Sequence, residues 1–161
     1  MASLKSEIAQ TVPFSSLEEE AILNVMRTSD CLQRAFQHKI RDWGLTSTQY
    51  NALRILRGAQ PDGLSCAAIG ERMIATEPDI TRLLRRLKGL KLIRQHRDRQ
   101  DRRVVMTQIS EAGLGLLRAM DPVIQKIPLD LLGHIGRGEL AELIRWLERA
   151  RQSCTDAEPT E

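Results

Sequence analysis

Between Arg82 and Arg103 the chain sets ten basic residues against two acidic ones, Asp98 and Asp101, a local balance of +8. The remainder holds 14 basic and 19 acidic residues, so the formal net charge of +3 conceals a basic patch on a mildly acidic body. A concentration of this kind fits a polyanion binder, because each phosphate it neutralises releases condensed counterions. It also constrains the local fold. At about 100° per residue, Ile80, Leu83, Leu84 and Leu87 share one helix face, while Pro78, Arg82, Arg85 and Gly89 take the opposite one, flanked by Thr81 and Arg86. Thr76-Glu77-Pro78-Asp79 supplies the start: Thr76 or Glu77 outside the first turn, Pro78 where a missing N–H is harmless, and Asp79 at the positive end of the dipole. The pattern predicts a helix from Pro78 to about Leu90 with its cationic face outward.

The neighbours of this helix define the rest of the lobe. Downstream, Leu92–Arg97 and Val104–Ile109 are short β-prone runs joined by the polar Asp98-Arg99-Gln100-Asp101-Arg102-Arg103, which predicts a two-stranded ribbon with a charged tip. Upstream, Thr46 with Gln49 three residues on forms a capping box, opening a helix with the apolar face Tyr50, Leu53, Ile55 and Leu56. Gln60-Pro61-Asp62-Gly63 is a turn, and Ser65 can cap a short helix carrying Ala68, Ile69 and Met73.

Helix, turn, helix and ribbon, with positive charge on the second helix and the ribbon tip, is a winged helix-turn-helix pattern. A helix about 10 to 12 Å across fits the major groove of B-DNA. On that reading Thr81 and Arg82, with Asp79, face base edges. Arg85, Arg86 and the helix starts marked by Ser65, Thr76 and Pro78 hold phosphates. The ribbon tip, with Arg99, Asp101, Arg102 and Arg103, reaches the adjacent minor groove, where a narrow groove concentrates negative potential.

Outside the lobe, residues 1–15 show no sustained period and read as a flexible arm, or one that docks on a partner subunit. Residues 16–44 read as a long first helix: Glu18, Glu19 and Glu20 suit its start, Ile22, Leu23, Met26, Leu32, Ala35, Phe36 and Ile40 repeat at three and four, and Gly44 ends it. The DNA-binding lobe is then 45–110. Residues 111–152 give two further helices, the first interrupted near Pro128, and 153–161 a polar tail. One small core cannot cover the apolar faces of the first and last helices. A two-fold dimer buries them and sets two recognition helices about 34 Å apart. The fold class is therefore mainly α with a small β-ribbon, a winged helix-turn-helix between N- and C-terminal dimerisation helices.

Composition removes several other classes. Aromatic residues make up 3% of the 161, too few for a single-strand stacking platform. Cys31, Cys66 and Cys154 fit neither a disulfide framework nor a metal knuckle, and His38, His96 and His134 are scattered, so no metal, no cofactor and a reducing cytoplasmic setting are expected. No nucleophile elbow or phosphate-cradling glycine loop points to an enzyme. No apolar run approaches a membrane span, and the first residues lack the order of a signal peptide.

The wing Asp98-Arg99-Gln100-Asp101-Arg102-Arg103, the following Ser110-Glu111-Ala112-Gly113 and the upstream Thr46-Ser47-Thr48-Gln49-Tyr50 resemble the MarR (multiple antibiotic resistance regulator) family over roughly residues 21–149. Asp101 and Arg103 match the family's Asp-x-Arg pair. The resemblance implies that Arg103 enters the minor groove, that Asp101 helps hold the wing, and that Thr81 and Arg82 lie at recognition positions. It further implies an intertwined homodimer and a response to small, often phenolic, ligands. Where the family commonly has Gly after the recognition helix this chain has Lys91, which costs about 1 kcal/mol if that residue is left-handed.

Two groups of residues carry competing readings. His38, Arg41, Trp43 and Tyr50 line an aromatic-carboxylate cleft, or the rings are core and Arg41 serves a helix end. Cys31 is a buried small apolar residue, or the thiol of a redox sensor. The expected function is a homodimeric, ligand-responsive repressor of a pseudo-palindromic operator on double-stranded DNA. The alternatives are a redox regulator acting through Cys31 and a winged-helix protein or RNA interaction module.

Overall fold

The computed structural model describes residues 3–155 except residue 99. Two compact units divide the chain, residues 1–123 and 124–161. In the first, Ser3 caps a four-residue helix α1 (Leu4–Glu7) and Ser16 caps α2 (Leu17–Ile40), accepting from the Glu19 N–H. The Glu19 carboxylate reaches back to the Ser15 N–H at 2.6 Å and hydroxyl at 2.7 Å, and these bonds hold it below the usual carboxylate pKa. A single 3₁₀ turn, Arg41–Trp43, follows α2, and Gly44 at φ +70° ends it.

Both halves of the Thr46–Gln49 capping box form at the start of α3 (Ser47–Gly58). The strand β1 (Leu64–Ser65), the helices α4 (Cys66–Glu71) and α5 (Ile80–Gly89), then β2 (Ile93–Arg97) and β3 (Val105–Ile109) complete the lobe, and α6 runs Glu111–Leu132. The sheet is antiparallel in the order β1-β3-β2, with Ile93 opposite Ile109, Arg97 opposite Val105 and Leu64 opposite Thr107. β1 lies close because Gly63, at φ +79°, has no side chain; a Cβ there would strike the Thr107 carbonyl and the Gln108 side chain. Tyr50, Leu53 and Leu56 from α3, Ile69 from α4, Leu83, Leu84 and Leu87 from α5, Ile93 and Ile109 from the sheet, and Leu117 and Met120 from α6 are the buried core. Arg57 ties α3 to α6, its Nη1 lying 2.9 Å from both oxygens of Asp121.

The second unit holds the end of α6 and all of α7 (Arg137–Thr155). The Gly133 N–H closes α6 on the Leu129 carbonyl at 2.8 Å, and the Glu139 carboxylate accepts the Gly136 N–H at 3.0 Å before α7 begins. Among the described residues no helix is long and apolar enough to cross a membrane.

Several sequence expectations change here. The ribbon is three-stranded, since Leu64 and Ser65 pair with Thr107 and Met106. α5 begins later than Pro78: Asp79 is its N-cap, the carboxylate accepting the Arg82 N–H at 2.7 Å, so Pro78 precedes the helix. α6 is continuous through Pro122 and Pro128, both exposed, where water can serve the carbonyls that each ring displaces. A short helix interrupts the expected arm, and α7 extends to Thr155; the rest of the expected tail, 156–161, lies outside the described residues, as do residues 1 and 2. Lys91 is indeed left-handed at φ +60°.

Candidate nucleic-acid interface

α5 is seated by its leucines. Leu83, Leu84 and Leu87 retain 7%, 2% and 0% of their accessible surface, whereas Thr81, Arg82, Arg85 and Arg86 are all exposed. Hydrophobic burial therefore fixes which side of the helix meets solvent, and that side is cationic. The Thr81 hydroxyl lies 4.0 Å from Cys66 Sγ, which brings the N-terminus of α4 beside the first turn of α5. Ser65 caps α4 by accepting the Ala68 N–H at 3.2 Å. Thr76 and Pro78 are exposed in the segment before α5. The Asp79 carboxylate is engaged in the cap, so at least one of its oxygens already has a backbone partner.

The wing is held by hydrogen bonds to its own backbone. Asp101 Oδ1 accepts the Arg103 N–H at 2.9 Å, and the Val104 N–H bonds the Asp101 carbonyl at 2.9 Å. Two residues that sequence reasoning did not single out contribute as much. Asp98 Oδ1 accepts from the N–H groups of both Gln100 and Asp101, at 2.8 and 2.9 Å, and Arg97 donates to the Arg102 carbonyl at 2.6 Å. The signal available for Asp98 was its type and place: an aspartate opening a polar loop readily accepts from the amides two and three residues on. Arg102 and Arg103 are exposed at the tip, and Arg99 lies outside the described residues. Two basic surfaces thus coexist in one lobe, one on a helix and one on a hairpin braced by carboxylates.

The four residues weighed as an effector site differ in exposure. Tyr50 is 7% exposed and packs on Phe36, ring centroids 5.6 Å apart and planes at 52°. Burial raises its phenol pKa, with Arg54 and Arg57 opposing. Arg41 is exposed and pairs with Asp42 at 3.4 Å; His38 is exposed and Trp43 half-buried. A cavity of about 240 Å³ lies between Leu56, Pro61, Arg94 and Gln108, and another of about 430 Å³ between Lys5, Phe14, Leu17 and Glu20; none of the four residues lines either. Cys31 is exposed, contrary to the burial expected for the residue type, on a helix with one buried residue; Arg34 lies 4.0 Å from its sulfur. Among the described residues no group of His, Cys, Asp and Glu is placed to hold a metal ion.

Residues 43–104 match the model of the MarR family. Of curated proteins, the chain is 31% identical over 119 residues to the HTH-type transcriptional regulator TtmR of Methylorubrum extorquens, covering 74% of this chain and 60% of TtmR. It is 30% identical over 122 residues to the HTH-type transcriptional repressor NicR of Pseudomonas putida, covering 76% of each. The crystal structure of a MarR transcription factor from Planctomyces limnophilus is 37% identical, with a TM-score of 0.65, over 84% of this chain and 98% of that one.

Proposed function

The chain belongs to the MarR family of winged helix-turn-helix, DNA-binding transcription regulators, and from that premise we propose that it acts as a homodimeric, ligand-responsive repressor of a pseudo-palindromic operator. The observation that carries the proposal is the seating of α5: three leucines in the core and an outward row of Thr81, Arg82, Arg85 and Arg86. Thr81 and Arg82 read base edges in the major groove, Arg85 and Arg86 hold phosphates with Ser65, Thr76 and Pro78 near the helix starts, and Arg103 enters the minor groove with Asp101 bracing it. Two-fold symmetry in the protein calls for two half-sites one helical turn apart.

Repression is supported by the name of NicR, a relative that covers three quarters of this chain. Release by a small phenolic or aromatic acid follows from the family likeness, and the exposed Arg41 beside half-buried Trp43 offers such a ligand a cation and a ring. The reading is tested by letting the purified protein select duplexes from a genomic pool. A pseudo-palindrome should emerge, bound far more tightly than random duplex and with a steep salt slope. Equal affinity for both would overturn it. Titrating phenolic acids against that complex tests release, and no change with any of them would remove the effector.

A further inference from the structure

The segment that leads into the recognition helix is held from beneath by a buried amide. α4 ends in an orderly run of bonds: the Arg72 N–H to the Ile69 carbonyl and the Met73 N–H to the Gly70 carbonyl, each at 3.1 Å. The next donor, the N–H of Ile74, leaves this pattern and bonds Oδ1 of Asn51 on α3 at 3.0 Å. Asn51 is 7% exposed, next to Tyr50, Ala52 and Leu53, which are equally or more deeply buried. Its Nδ2 has less than 1 Å² of surface and no hydrogen-bond partner among the described residues.

An arrangement like this is costly. An amide among core residues with its donor unsatisfied is less stable than a leucine of similar size at the same place would be. What it provides is a fixed point: Ile74 is 80% exposed and gains no position from packing, yet its backbone is tied to the same helix that carries the core. We propose that Asn51 is a positioning residue for DNA reading, which sets the Ile74–Asp79 segment and so the phase at which α5 presents Thr81 and Arg82. The proposal rests on α5 being the recognition helix.

The test uses the full-length protein with Asn51→Leu, which fills the site with apolar atoms, and Asn51→Ser, which shortens the side chain out of reach and guards against a leucine variant that fails to fold. In the native protein the Ile74 amide should exchange with solvent far more slowly than expected for so exposed a residue, and in both variants it should become fast. Operator affinity should fall by about tenfold, the scale of one lost orienting hydrogen bond, while affinity for random duplex and its salt slope stay unchanged. A merely structural asparagine would lower thermal stability and both affinities together, or neither, and either pattern overturns the proposal. So does a native Ile74 amide that exchanges freely. A native protein that protects the Ile74 amide but shows no preference for any duplex sinks the operator reading instead, and the positioning role with it, while leaving the hydrogen bond standing.

Discussion

The lobe between Leu45 and Met120 and the helices α2 and α7 solve the same problem of apolar residues in opposite ways. The lobe supplies nearly all the buried apolar side chains, from Leu45 through Leu84 and Leu87 to Met120. α2, twice the length of α3, buries only Ile40, and leaves Leu17, Ile22, Val25 and Met26 exposed. α7 likewise exposes Leu143, Ile144 and Trp146. Single exposed apolar residues are ordinary on a protein surface, but a row at helical spacing is not. The lobe completes its core within one chain; in the proposed homodimer the helices carry half of an interface. On that proposal, DNA reading belongs to the self-sufficient region and assembly to the incomplete one.

The most severe way to break this comparison is to charge the incomplete face. Ile22→Asp together with Met26→Asp should turn a dimer into an 18.2 kDa monomer on sedimentation equilibrium. Because a second half-site on a linked subunit acts through effective concentration, operator affinity should drop by roughly a hundredfold or more. The lobe should keep its fold, so far-ultraviolet dichroism should change little. A native protein that is already monomeric at micromolar concentration would refute the proposed division of labour.

The same contrast explains how much could be read from sequence. Local devices were legible because they are written within four residues: the Thr46–Gln49 capping box, the Ser65 cap and the leucine stripe of α5 all form as their spacing predicts, while Gly44 closes a 3₁₀ turn beyond α2, which itself ends at Ile40. Features that depend on a distant partner were not. Leu64 and Ser65 become a strand only by pairing with Thr107 and Met106, over 40 residues away, and two residues carry no period of their own. Pro78 and Asp79 both suit a first turn by residue type, and the carboxylate sets the start of α5 by capping the Arg82 N–H. The residue type of Cys31 suggests burial, but type alone cannot distinguish the covered face of a helix from its exposed one. In the wing, Arg97 and Asp98 look in sequence like part of a run of charges, although one carbonyl and two amides depend on them.

A narrower break leaves assembly intact and removes one contact from the lobe. Arg103→Ala should weaken operator binding by about ten- to a hundredfold, the range for one well-placed arginine contact, with the dimer unchanged on gel filtration. The backbone bond from the Arg103 N–H to Asp101 does not involve its guanidinium, so the wing should stay folded. Loss of the dimer in this variant would mean that the hairpin tip belongs to the assembly region, and would erase the distinction between the two.

The smallest expected effect concerns Lys91, where the lobe tolerates strain. Its N–H bonds the Lys88 carbonyl at 2.9 Å, the Leu92 N–H returns to the Leu87 carbonyl at 3.0 Å, and its own carbonyl accepts the Ser110 hydroxyl at 2.7 Å. These bonds hold the end of α5 in the closure that normally places glycine at the left-handed residue, here at φ +60°. Lys91→Gly should relieve about 1 kcal/mol, partly offset by the greater freedom of glycine in the unfolded chain. A net gain near half of that would raise the melting temperature by about 1 to 2 °C in a domain of this size, with operator affinity unchanged because the bonds that direct β2 are all made by backbone or by Ser110. A fall in melting temperature would show instead that the lysine side chain contributes more to the folded lobe than its backbone costs. The lobe would then depend on surface contacts at an exposed corner, and would be less self-sufficient than its buried leucines imply.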